Sequence, residues 1–182
     1  NRPTIFPIPE FVLKLIFSEG AKVLTDGQSV IPKRLLDLGF NFKYKNMNPD
    51  DLVMPMKHEL TDKGFQDLTS SEAVNDALKK EGTTLLMINS VCGCAAGAAR
   101  PGVVFSLTGE KKPEHLVTAF AGFDVDAVAE ARKLLAPFPP SSPCIALFKD
   151  GELVHMLERH HIEGNPAGAI AANLQAAYEE FC

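Results

Sequence analysis

Two cysteines separated by a single residue, Cys92 and Cys94, are the side chains in this sequence best suited to chemistry. They lie between an apolar run, residues 84–91, and a small-residue stretch, residues 95–99, a pattern that predicts a buried strand leading into a helix. The first N–H groups of a helix lack intrahelical partners, and the helix dipole adds partial positive charge there, so an anion is stabilised. A cysteine so placed has its pKa lowered from about 8.5, and its thiolate is the form that attacks disulfides. The alternative is a pair of small buried cysteines in a core turn.

The spacing of the two cysteines predicts a division of labour. Cys92 is expected to be the exposed nucleophile and Cys94, one step into the helix, the resolving thiol. Because the ring closed through Gly93 is small, it meets the usual Cα separation of about 4.4–6.8 Å only with distortion, so we predict an oxidising couple. No lysine or arginine adjoins the motif, so activation is expected to come from backbone N–H groups. Asn89 and Ser90 either donate hydrogen bonds to the sulfur of Cys92 or stabilise the turn by hydrogen bonds of their own.

The elements that must position the cysteines follow the order βαβα and then ββα. Strands are predicted over residues 83–89, 115–121, 144–149 and 152–157, the last two joined by a turn at Asp150-Gly151. Helices are predicted over residues 50–61, 124–135 and 165–181. Another is expected to begin at an N-cap at Thr69 and to end near residue 80. A fifth is expected to begin after Cys92 and to be kinked at Pro101. This order is that of an α/β thioredoxin-like fold, a mixed central sheet with helices on both faces.

A proline directly before the hairpin, Pro143, occupies the position that faces the redox cysteine in such a fold. By analogy with that fold we predict a cis Ser142–Pro143 bond. Cis bonds are accessible only before proline, and a cis bond here would leave a backbone edge free to pair with a peptide. Ser142, Pro143 and Gly93 are therefore candidate substrate contacts. The alternative is an ordinary trans proline in a loop.

Composition divides the chain near residue 46 and limits its partners. Residues 47–182 form the predicted thioredoxin-like domain, and residues 1–46 a small appendage with short helices over 9–18 and 32–38. The net charge of −5 argues against a nucleic-acid partner. No apolar run reaches membrane-spanning length, and four cysteines are too few for a disulfide scaffold. Nothing in the sequence indicates the oligomeric state.

The first 46 residues resemble the C-terminal tail of epimerase-like short-chain dehydrogenases. The resemblance is carried by residues 2–3, 7–9, 26–36 and 39–44. In that family an upstream Rossmann domain holds the dinucleotide, and no glycine-rich phosphate loop follows a strand here, so no dehydrogenase activity is expected. A fused tail is the simplest interpretation.

The second part resembles the bacilliredoxins over residues 48–182. The resemblance is carried by residues 81–85, 89–97, 99–101, 112–118, 139–143 and 154–164. It implies a cytoplasmic bacterial protein that removes the small thiol bacillithiol from S-bacillithiolated proteins. Disulfide isomerase activity is also associated with the family, so disulfide-containing proteins are implied as partners as well. Bacillithiol would be a co-substrate, and no cofactor is expected.

The resemblance also implies roles for individual residues. Cys92 would accept bacillithiol from the client, and Cys94 or free bacillithiol would release it. Arg100 is a candidate contact for the malate carboxylates of bacillithiol, the alternative being a solvated arginine. Cys182 matches a cysteine at the C-terminus of the family. Cys144 differs from the small residue, such as serine, that is expected after the predicted cis proline. It would be either a buried, unreactive thiol or a thiol that forms an off-pathway disulfide near the active site.

Two further hypotheses remain for the same residues. His155, His160 and His161 could join the cysteines in a zinc site. His155 lies on a predicted strand, however, and the side chains of His160 and His161 would diverge in an extended segment, so no metal is expected. The second hypothesis is a non-catalytic binding module, in which Cys-Gly-Cys is inert and a partner docks at the backbone edge beside Pro143. Such a module would show no lowered thiol pKa.

Overall fold

A computed structural model of the protein describes residues 49–182, and these residues build one mixed five-stranded sheet. The strands lie in the order β1-β3-β2-β4-β5; β3 is parallel to β1 and β2, β4 is antiparallel to β2, and β5 is antiparallel to β4. Their bounds are β1 Gln66–Asp67, β2 Thr83–Asn89, β3 His115–Phe120, β4 Cys144–Lys149 and β5 Glu152–Leu157. The four predicted strands are confirmed to within a residue, whereas the two-residue β1 was not expected.

Helices connect the strands and cover the sheet. They are α1 Pro49–Thr61, α2 Ser71–Leu78, α3 Arg100–Ser106, α4 Val125–Leu134, α5 Arg159–Ile162 and α6 Ala167–Phe181. A π-helical segment, Ala95–Ala99, leads directly into α3. The irregular turn therefore comes directly before Pro101, where a kink was predicted, and Pro101 cannot donate a backbone hydrogen bond to the turn that precedes it.

Strand β2 is central and entirely buried, which explains its unbroken apolar sequence. Leu85 and Met87 belong to the core on one face of the sheet, which α1, α3 and α6 complete. Leu86 and Ile88 belong to the core on the other face, which α2 and α4 complete. With helices on both faces and β4-β5 as an antiparallel hairpin, the domain has the predicted thioredoxin-like fold.

The caps of two helices differ in detail from the sequence prediction. The cap of α2 is Ser70 rather than Thr69, and the Ser70 side chain accepts a hydrogen bond from the N–H of Ala73. Asp124 stands at the N-cap of α4, but its carboxylate makes no capping bond there. It accepts instead from the N–H of Phe120 at 2.7 Å and pairs with Lys57.

Two further sequence predictions concern the N-terminal appendage and the absence of membrane-spanning segments. The appendage and its short helices lie outside the described residues, and the division near residue 46 stays a prediction. Within residues 49–182, none of the helices has the length and apolar character needed to cross a membrane.

Candidate redox site

The two cysteines lie just beyond the end of β2, at the turn that enters the π-helical segment. Cys92 and Cys94 are joined by a disulfide, with their Cα atoms 5.4 Å apart. Both are half-buried, and Gly93 between them is exposed. This is the predicted strand-to-helix position, so the alternative of two fully buried cysteines is wrong. The oxidising character of the couple stays a prediction.

The sulfur of Cys92 receives two hydrogen-bond donors. The backbone N–H of Ala95 and the hydroxyl of Ser90 each donate to its Sγ, both at 3.3 Å. Ser90 therefore binds the sulfur, which is one of the two roles that the sequence left open for it. Donors of this kind stabilise a thiolate over a thiol, and one of them is the backbone donor that was expected.

Asn89 has the other role, because its side-chain hydrogen bonds stabilise the turn. Its Oδ1 accepts from the N–H of Ser90 at 2.8 Å, and its Nδ2 donates to the carbonyl of Met56 at 3.2 Å. Because Asn89 is 1% exposed and Met56 lies on α1, these bonds join the end of β2 to a neighbouring helix.

Arg100 is neither a solvated arginine nor free to receive a ligand. It is 3% exposed, and its guanidinium binds the Glu59 carboxylate through two nitrogens, at 2.6 and 3.2 Å. A third nitrogen donates to Asn89 Oδ1 and to the Ser90 carbonyl, each at 3.2 Å. The predicted contact with bacillithiol carboxylates is therefore replaced by a bond network inside the protein. The sequence alone did not identify Glu59 as part of it.

Pro143 lies beside the end of β2 that carries the cysteines. Cys144 pairs with Ile88 in the antiparallel ladder, so Pro143 stands one residue further toward Cys92. The Ser142–Pro143 peptide bond is cis, as predicted, and so is Ala136–Pro137, which was not predicted. Pro143 is buried and Ser142 half-buried.

The remaining two cysteines have opposite environments. Cys144 is 1% exposed, and this burial raises the pKa of its thiol to about 12, so it is a buried thiol of low reactivity. Cys182 is free and exposed at the end of the chain.

The histidines do not join the cysteines. Among the described residues, His160, His161 and Glu158 come together, with ligand atoms within 4.8 Å of one another, because residues 159–162 form a helical turn rather than an extended segment. The two adjacent rings were expected to diverge in an extended segment, and the helical turn instead places their centroids 3.8 Å apart. The N–H of Glu158 donates to Nδ1 of His161 at 3.1 Å, which occupies the lone pair on that nitrogen. His155 binds Asn173 at 2.8 Å.

An apolar groove of about 350 Å³ opens next to the disulfide turn. Leu52 on α1, Phe120 at the end of β3, and Phe123 contribute to its walls together with Val91. Val91 precedes Cys92 in the chain and is 56% exposed, so apolar surface adjoins the redox turn. This groove was not predicted from the sequence, because its residues come from three separate segments.

A thioredoxin-like sheet with a two-cysteine disulfide at the end of its central strand defines the class of the protein, which is a thiol–disulfide oxidoreductase. Comparison with known families agrees. A family model described as "Disulphide isomerase" matches residues 48–182, and one described as a domain of unknown function, DUF1731, matches residues 8–49.

Named relatives specify the family further. A bacilliredoxin of Cytophaga hutchinsonii is 58% identical over 135 residues, which is 74% of this chain and 100% of that protein. A bacilliredoxin of Shouchella clausii is 53% identical over 132 residues, 72% of this chain and 91% of that protein. The chain belongs to the bacilliredoxin family.

Solved structures with a similar arrangement include two thioredoxins. A mutant thioredoxin from Halobacterium salinarum is 16% identical and covers 63% of this chain and 88% of its own, with a TM-score of 0.45. Thioredoxin from Plasmodium falciparum is 18% identical and covers 64% and 99%, with a TM-score of 0.44. The fold assignment itself depends on the order and direction of the strands.

Proposed function

We propose that the protein removes bacillithiol from S-bacillithiolated proteins in the bacterial cytoplasm, using Cys92 and Cys94. The observation that carries the proposal is the environment of the Cys92 sulfur, which is half-buried and receives the Ser90 hydroxyl and the Ala95 N–H, each at 3.3 Å. The same two donors would stabilise the thiolate formed when the disulfide is reduced. The bacilliredoxin relatives support bacillithiol as the group transferred.

The reaction consists of two thiol–disulfide exchanges. The Cys92 thiolate attacks the bacillithiol sulfur of the mixed disulfide; a Cys92–bacillithiol bond forms, and the client cysteine leaves as a thiolate that takes a proton from water. The Cys94 thiolate then attacks the Cys92 sulfur, forms the intramolecular disulfide and releases bacillithiol. Two further equivalents of bacillithiol return the pair to dithiol and leave as bacillithiol disulfide.

Surfaces beside the disulfide suit a protein as the client. The apolar groove that begins at Val91 lies beside Cys92 along the chain, and Pro143 lies on the β4 side of the same strand end. A client polypeptide that presents its modified cysteine to Cys92 would lie next to both surfaces, because both adjoin the end of β2 that carries Cys92.

Intact mass spectrometry tests the proposal directly. The reduced protein is mixed with an S-bacillithiolated client, in parallel with its Cys92→Ala and Cys94→Ala variants. We expect the mass of bacillithiol to move from the client to the protein, to persist on Cys92 when Cys94 is replaced, and to stay on the client when Cys92 is replaced. A client that keeps its modification in the presence of the unmodified protein would refute the proposal.

Disulfide isomerisation is the second candidate, and the description of the matching family model favours it. The experiment separates the two when a scrambled disulfide protein is included as a second substrate. Reactivation of that substrate by the protein, with no transfer of bacillithiol, would favour the isomerase. Failure of both substrates to react would leave a non-catalytic binding module as the better interpretation.

A further inference from the structure

We infer that Arg100, held by Glu59, is a positioning residue that aims the Ser90 hydroxyl at the sulfur of Cys92. The inference rests on the proposed function in one respect, since it takes Cys92 as the nucleophile. A hydrogen-bond network runs from the exposed carboxylate of Glu59 through the buried Arg100 and Ser90 to the sulfur of Cys92. Through this network the fold would stabilise the Cys92 thiolate.

The outer part of the network is an arginine–carboxylate pair. Nε and Nη2 of Arg100 donate to the two oxygens of Glu59, at 2.6 and 3.2 Å, which is a bidentate arrangement that orients the planar guanidinium. The Arg100 side chain is 4% exposed and that of Glu59 is 48% exposed. One end of the network therefore lies at the surface of α1 and the other inside the domain.

The inner part of the network holds the main chain of Ser90 on both sides. Nη1 of Arg100 donates to the Ser90 carbonyl at 3.2 Å and to Asn89 Oδ1 at 3.2 Å. The same Asn89 Oδ1 accepts from the Ser90 N–H at 2.8 Å. These bonds engage both backbone polar groups of Ser90 and so hold its main chain where its hydroxyl reaches Cys92 Sγ at 3.3 Å.

Positioning and direct electrostatic attraction predict opposite results when Glu59 is removed. If the positive charge of Arg100 acted on Cys92 through space, loss of the paired carboxylate would leave that charge uncompensated and would lower the pKa of Cys92. If Arg100 acts by holding Ser90, loss of the carboxylate frees the guanidinium, weakens the Ser90 hydrogen bond and raises the pKa of Cys92. The sign of the shift therefore identifies the mechanism.

The test measures the pKa of Cys92 in a background carrying Cys94→Ala and Cys182→Ala. The pH dependence of iodoacetamide alkylation and the thiolate absorbance near 240 nm report that pKa, and the buried Cys144, with its pKa of about 12, stays protonated over the range used. We expect Ser90→Ala to raise the pKa by about one unit, since a hydrogen bond to a charged group is lost. We expect Glu59→Ala and Arg100→Lys each to raise it by about half a unit or more.

A double-variant cycle shows whether the effect passes through Ser90. Because the hydroxyl is already absent in Ser90→Ala, adding Glu59→Ala to that variant should produce no further rise. Glu179→Ala is the matched control, since Glu179 is also an exposed helical glutamate paired with a cation, Lys111, and has no bond to the network. It should leave the pKa unchanged.

Several results would overturn the inference. A fall or no change in the pKa on Glu59→Ala would do so, as would a rise of the same size in the Ser90→Ala background. Glu59 is exposed on a helix, so its alanine variant is expected to fold, and circular dichroism verifies this in each variant. The assay contains no bacillithiol, so a failure of bacillithiol transfer and a failure of the positioning network remain separate outcomes.

Discussion

Replacing Lys57 by methionine is expected to destabilise the domain strongly, because it would leave two carboxylates without their cation. Lys57 is 2% exposed on α1, and its ammonium lies 2.8 Å from Asp67 and 2.7 Å from Asp124. The Phe123 ring covers it at 5.0 Å. Asp124 is itself 5% exposed, and water therefore cannot replace the lost partner without rearrangement.

The magnitude follows from this burial. Breaking a buried ion pair by removing one partner costs about 3–5 kcal/mol, most of it from the charge left behind. For a domain of this size each kcal/mol lowers the melting temperature by roughly 3 °C, so a fall of about 10–15 °C is expected. Urea unfolding followed by circular dichroism measures the free energy, and a thermal scan measures the midpoint.

Two further variants make the reasoning refutable. Lys57→Met combined with Asp124→Asn should lose less stability than the sum of the single changes, because the buried carboxylate charge is removed with the cation, while an amide oxygen can still accept from Phe120. Lys111→Met is the matched control; its partner Glu179 is 3.6 Å away at the surface, and stability should hardly change. A loss below about 1 kcal/mol for Lys57→Met, or full additivity in the double variant, would show that the buried pair contributes little.

Two other predictions concern the core. The pKa of the Cys144 thiol is raised from 9.0 to about 12 in the folded state. As the pH rises, the unfolded state therefore loses this proton first. The free energy of unfolding should fall by about 1.4 kcal/mol per pH unit between these two pKa values. Cys144→Ala should remove that part of the slope in urea unfolding, and an identical slope would contradict the assignment. A Cβ at Gly102 would lie 2.7 Å from Cβ of Ile170, so Gly102→Ala should cost about 1–3 kcal/mol. Gly97→Ala, with nothing within 4 Å, should be neutral or slightly stabilising, and equal losses in both would refute the steric argument.

Local patterns were enough to predict most of the sheet and the location of the redox turn. The apolar run of β2 and the Asp150-Gly151 turn each predict structure from neighbouring residues alone, and both predictions are confirmed. The α2 cap was misplaced by one residue because Thr69 and Ser70 offer equivalent hydroxyls, and only the folded backbone selects between them. The two residues of β1 carry no periodicity that sequence reasoning could detect.

The environment of the site depends on contacts between distant segments, which the sequence did not reveal. Arg100 looked like a surface residue because its partner Glu59 lies 41 positions earlier and on a different helix. Asp124 has the residue type and place of a helix cap, yet Lys57, 67 positions away, takes its carboxylate instead. In both cases a charge is buried only because another segment brings the opposite charge, so its local sequence could not reveal the burial.

The π-helical segment has a consequence for how the redox motif can change in length. A π turn holds one residue more than the α-helical turn it replaces, so deletion of one residue within Ala95–Ala99 would restore an α-helix without rotating the residues that follow. Arg100 would still face Glu59, and Gly102 would still pack against Ile170. A deletion later in α3 would instead turn its buried side by about 100°. The segment thus allows the removal of one residue next to the cysteines while the rest of the helix keeps its phase.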